Sequence, residues 1–96
     1  MSTEREGMRE TILNAISEVT GRPFPASVID GNTSVYELGI DSMSLVELIF
    51  KLEAELEIDI PLAELNESIF EHLDSLIDYL CNRQRAAAEA RTEMAK

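Results

Sequence analysis

Positive charge is scarce in this chain: eight lysines and arginines stand against nineteen aspartates and glutamates, for a net charge of −11. That balance repels nucleic-acid phosphates and anionic lipid, so neither is expected as a partner. Aromatic residues make up 5% of the sequence and tryptophan is absent, which leaves an aliphatic core of the modest size that one 96-residue domain can bury. A second domain does not fit. The single cysteine, Cys81, excludes an internal disulfide, and with one histidine, His72, there is no metal-ligand cluster and no case for a Cys/His catalytic pair. Long apolar runs are missing, and Met1-Ser2-Thr3-Glu4-Arg5-Glu6-Gly7 lacks the basic and apolar regions of a signal peptide. The expectation is a soluble, cytoplasmic protein. Internal repeats and a Gly-rich phosphate loop are lacking as well.

What is present is unevenly charged. Residues 1–40 carry six acids and three bases, residues 41–80 eleven acids and one base, and residues 81–96 two acids and four bases. The negative field therefore belongs to the second half of the domain, where it attracts basic protein surfaces or serves only to keep a small protein in solution.

Hydrophobic spacing predicts helices. Thr3-Glu4-Arg5-Glu6 reads as a capping box, and Met8, Ile12, Ala15, Ile16 and Val19 follow at helical spacing until Gly21 stops them. Pro23, Pro25, Gly31, Asn32, Thr33 and Ser34 then make a long connection, which Val28, Ile29, Val35, Tyr36 and Leu38 are expected to pin across the bundle, with a short helical turn between Asn32 and Leu38. A second helix is predicted over about Ser42–Leu56. Leu45, Leu48, Ile49, Leu52 and Leu56 form its inward stripe, while Met43, Val46 and Phe50 form a second stripe interleaved with Glu47 and flanked by Glu53. That second stripe reads either as extra core width or as a strip that partners cover. Pro61-Leu62-Ala63-Glu64-Leu65 is expected to begin a short third helix with Pro61 in its first turn. A fourth helix starts near Leu73 or Asp74 and buries Leu73, Leu76, Ile77, Leu80 and Cys81. Residues 1–82 are assigned to the domain. Residues 83–96 are a helical or disordered extension, rich in helix formers but short of large apolar anchors.

The most informative segment is Leu38-Gly39-Ile40-Asp41-Ser42-Met43, a turn that breaks into the second helix. Gly39 suits the turn, Asp41 is a good N-cap, and Ser42 falls in the first turn beside unpaired N–H groups, a setting that favours an anion on its side chain. The plain alternative is that Ser42, or Ser44 through Ser44-Leu45-Val46-Glu47, is merely a cap. In its context the run Glu37–Leu48 resembles the signature of the acyl carrier protein family, and the likeness extends over about residues 5–82. The resemblance implies an all-α fold, a small four-helix bundle of three long helices and one short, with a long loop between the first two. It implies a 4′-phosphopantetheine arm, taken from coenzyme A and attached to Ser42 beside Asp41, that carries acyl intermediates as thioesters. The protein itself would catalyse nothing. Met43, Val46, Glu47, Phe50 and Glu53 match the family's partner-binding surface. The implied partners are a phosphopantetheinyl transferase and acyltransferase, ketosynthase-type or adenylating biosynthetic enzymes, met by a monomer.

Where fatty-acid-synthesis carriers typically read Asp-Ser-Leu-Asp-Thr-Val-Glu, this chain has Ser44 and Leu45 after Met43, and its third helix is less acidic. These departures point to polyketide or another specialised or fatty-acid-type pathway. Two alternatives stay open: a discrete peptidyl carrier, although that group more often reads Gly-Gly-His/Asp-Ser, and an unmodified helical adaptor that binds proteins through Met43, Val46 and Phe50. A hydrolase with Ser42 as nucleophile lacks a triad, because His72 is the only histidine.

Overall fold

The computed structural model describes the backbone of residues 3–24 and 29–94, and the side chains of Thr3, Leu62 and residues 90–94 fall outside that description. Every regular element among the described residues is helical: α1 (Thr3–Thr20), a 3₁₀ turn (Tyr36–Leu38), α2 (Ser42–Leu56), a second 3₁₀ turn (Leu62–Glu64), α3 (Glu67–Phe70) and α4 (Leu73–Met94). The expected architecture of three long helices and one short is the one found. No helix among the described residues is long and apolar enough to cross a membrane.

Helix α1 packs against both α2 and α4. Met8, Ile12, Ala15 and Ile16 are buried as their spacing predicts, Leu13 joins them, and Val19 packs at the edge. Gly21 closes the helix at φ +74°, and its N–H donates to the Ser17 carbonyl at 2.8 Å. The Thr3 half of the expected capping box lies outside the described side chains. Helix α2 has the predicted limits, with Leu48, Ile49 and Leu52 buried and Leu45 and Leu56 half-buried beside them.

Pro25 and Val28 of the long connection lie outside the described residues. Further on, Val35, Leu38 and also Ile40 are buried, and Ile29 packs at the core's edge. Tyr36 is 40% exposed and meets the Phe70 ring edge-on at 6.3 Å. The connection does more than cover the bundle, because its backbone completes α4. The N–H of Leu73 donates to the Thr33 carbonyl at 2.8 Å and that of Asp74 to the Gly31 carbonyl at 3.0 Å, while Val35 N–H donates to Phe70 O at 3.0 Å. Two of the donors that every helix start leaves open are thus satisfied from a distant segment. His72 Nδ1 lies 3.0 Å from the Asn32 carbonyl in the same seam. A Cβ on Gly31 would overlap the Asp74 carboxylate, which would have to turn aside to admit it.

The third helix lies further along the chain than expected. Pro61–Leu65 holds only the 3₁₀ turn, in which Glu64 N–H donates to Pro61 O at 3.0 Å, and α3 begins after Asn66. The reason is burial on both sides: Ile58 and Ile60 sink into the core around exposed Asp59, and Phe70, 2% exposed, must reach the core from α3. Helix α4 buries all five expected residues. Burial pushes the Cys81 thiol up, which suits a small core residue and not a reactive one. The helix runs unbroken past residue 82 into the extension, where Arg83 donates to Asp59 O (Nη2 at 2.9 Å), Arg85 pairs with Glu4 at 2.9 Å and Ala87 packs at the core's edge.

Candidate functional site

Three residues fix where α2 begins. Leu38 and Ile40 are buried on either side of Gly39, whose φ of +98° reverses the chain and whose N–H donates to Tyr36 O at 3.1 Å. The chain then leaves the core at Asp41, in extended backbone, and its Oδ1 accepts the Ser44 N–H at 2.8 Å. Asp41 is therefore the N-cap, and the Ser44–Glu47 pattern is not needed as one. The Ser44 N–H, followed by the Ser44 hydroxyl, holds the Asp41 carboxyl below its ordinary value. Ser42 is the first helical residue. It is exposed, and its hydroxyl makes no hydrogen bond among the described residues. A hydroxyl in that state is free to be esterified, and the positive end of the helix suits a phosphate there. The residues thus fit a phosphodiester-linked arm.

Among the described residues, nothing beside Ser42 makes it a hydrolytic nucleophile. Asp41 is committed to its cap, and His72 belongs to the seam at the start of α4. Among the described residues there is no cluster of side chains able to hold a metal.

Met43, Val46 and Phe50 are 81%, 42% and 58% exposed, and Glu47 is exposed among them. Glu53 is placed differently: it is half-buried, and its Oε2 accepts the Ile60 N–H at 2.8 Å, tying α2 to the segment that follows. Lys51, the one base in the acidic half, pairs with Glu18 of α1 at 2.8 Å, and that contact raises its pKa.

Sequence reading did not find the cleft. Tyr36, Leu45, Val46, Ile49, Leu65 and Phe70, with Asn66 and Glu67 at the rim, line an open cleft of about 260 Å³ between α2 and the α3 segment. Ser42, Leu45, Val46 and Ile49 stand at i, i+3, i+4 and i+7, so the serine heads the row of side chains that forms one wall. Leu45 and Val46, adjacent in sequence and on neighbouring stripes, give one wall, but the facing wall comes from segments whose placement no periodicity announces.

The family described as "Phosphopantetheine attachment site" matches residues 10–80. A methylphloroacetophenone synthase of Cladonia uncialis is 34% identical over 57 residues, which cover 59% of this chain and 2% of that synthase.

Proposed function

The chain belongs to the phosphopantetheine-attachment family, and from that premise we propose that Ser42 bears the arm and that the protein is an acyl carrier of polyketide or related fatty-acid-type biosynthesis. As a carrier domain it is not itself an enzyme. When bound, the arm supplies a terminal thiol that takes up cargo as a thioester. The chain's own residues present the arm, shelter what it carries and meet the enzymes that act on it.

The observation that carries the reading is the exposed, unbonded Ser42 hydroxyl at the locally capped end of α2. The apolar wall that descends from it through Leu45, Val46 and Ile49 suits an acyl chain better than a peptide. Phloroacetophenone, in the relative's name, bears oxygens on alternate carbons of its ring, the pattern left by condensing two-carbon acyl units. That synthase supports a polyketide setting in its name alone, since this chain spans 2% of its length. Met43, Val46, Glu47 and Phe50 form the docking face in this proposal, with Glu53 shaping it through Ile60. Its acidic surroundings select a basic patch on a transferase, acyltransferase or ketosynthase-type partner, raising the rate of encounter more than the affinity. The carrier acts as a cytoplasmic monomer, with residues 1–82 as the working unit.

Incubating the protein with coenzyme A and a phosphopantetheinyl transferase, followed by intact mass and peptide mapping, tests the proposal. One arm on the peptide holding Ser42 is expected. No added mass under an active transferase would overturn it.

A further inference from the structure

In this acidic protein Arg22 stands without a carboxylate partner among the described residues. Arg5, Lys51, Arg83 and Arg85 each pair with at least one acid, whereas Arg22 has none within ion-pair reach among the described residues. It is nonetheless held in place. Its N–H donates to Thr20 Oγ1 at 3.3 Å, and its guanidinium carbon lies 5.7 Å from the centroid of the Phe24 ring, a cation–π arrangement. On its other side, Nη1 is 3.5 Å from the point where a Cβ on Gly39 would sit. Gly39 is three residues before Ser42, so their Cα atoms are at most about 11 Å apart.

We propose that Arg22, shelved on Phe24 against Gly39, is a positioning residue that ion-pairs with the phosphodiester carried on Ser42. The inference rests on the proposed attachment at Ser42. A phosphodiester keeps its negative charge at neutral pH and would add it to a half of the domain that already holds eleven acids and one base, that base being engaged by Glu18. Placing an anion there calls for a cation, and among the described residues the fold brings Arg22 to this end of α2. A planar guanidinium matches phosphate oxygens in a way an ammonium does not. Pairing the phosphate would fix the root of the arm and leave its thiol end free to swing.

The test compares apo and holo forms of the wild type, Arg22→Gln and Arg22→Lys, with intact mass confirming that each holo form bears the arm on Ser42. Loss of the Phe24 contact affects apo and holo alike and cancels in their ratio. At low salt the holo-to-apo ratio of unfolding constants should be about two- to five-fold less favourable in Arg22→Gln than in the wild type. The gap should close at high salt. The ³¹P resonance of the phosphodiester should move in Arg22→Gln, with Arg22→Lys intermediate. An unchanged ratio and resonance in all three proteins, with the arm present on Ser42, would overturn the role of Arg22 alone. A wild type that takes no arm would instead overturn the reading of Ser42.

Discussion

Asp-Ser occurs at the start of two helices, as Asp41-Ser42 on α2 and Asp74-Ser75 on α4, and the backbone treats the two in opposite ways. At α2 the aspartate stands outside the helix and caps it, so the serine is the first helical residue and faces solvent. At α4 the aspartate is the second helical residue, its N–H is taken by Gly31 O and its carboxylate turns to Arg5. Ser75 follows, half-buried, with its N–H on His72 O at 3.0 Å. A helix start capped by its own neighbour stays open to chemistry, whereas one completed by a remote loop is closed.

The largest difference should appear in loading. Ser42→Ala should accept no arm from a phosphopantetheinyl transferase, and Ser75→Ala should load as the wild type does, both read by intact mass. An arm mapped to Ser75 would invert the comparison.

Stability should sort the two helix ends in the opposite sense. Leu73 is fully buried at the start of α4, so Leu73→Ala should cost about 2–5 kcal/mol in chemical denaturation, whereas Met43→Ala, at an exposed position, should stay within about 0.5 kcal/mol. Met43→Ala and Val46→Ala should still slow transfer of the arm, and raising salt should slow it further. Equal stability losses at Leu73 and Met43 would erase the distinction between a closed and an open end.

Acidification gives the smallest effect. The Asp41 carboxyl is held below its ordinary value of about 4, so its cap is fully present above that pH and is lost as pH falls through the lower folded value. Asparagine caps without titrating. The stability gap between the wild type and Asp41→Asn should therefore shift against the wild type as pH drops below about 4. The carbonyls that cap α4 do not titrate. A gap independent of pH would show that Asp41 does not act through its charge.

Much of this was legible in the residues. The bounds of α2 and the inward faces of α1 and α4 follow from helical spacing, whereas the spacing of Met43, Val46 and Phe50 fits core or surface alike and only the family resemblance points to their exposure. The position of α3 did not follow: Pro61 is a plausible helix start, but whether a turn there continues depends on where Phe70 finds room in the core. The seam between residues 31–35 and the start of α4 is carried by main-chain carbonyls, which no side-chain pattern advertises. The cleft, and the placing of Arg22 beside Gly39, likewise depend on segments distant in sequence.

That seam has a topological consequence. His72 meets Asn32 across forty positions of sequence, and with the neighbouring bonds it makes the intervening chain, α2 included, into a closed noncovalent ring. Loop-closure entropy depends weakly on length, each doubling costing about 0.6 kcal/mol. Residues added between Gly21 and Asp30 would lie outside the ring and leave its closing bonds unchanged. A single residue inserted between Gly31 and Val35 would move the acceptors for Leu73 and Asp74 out of register, and the helix that presents Ser42 would lose the anchor on its upstream side.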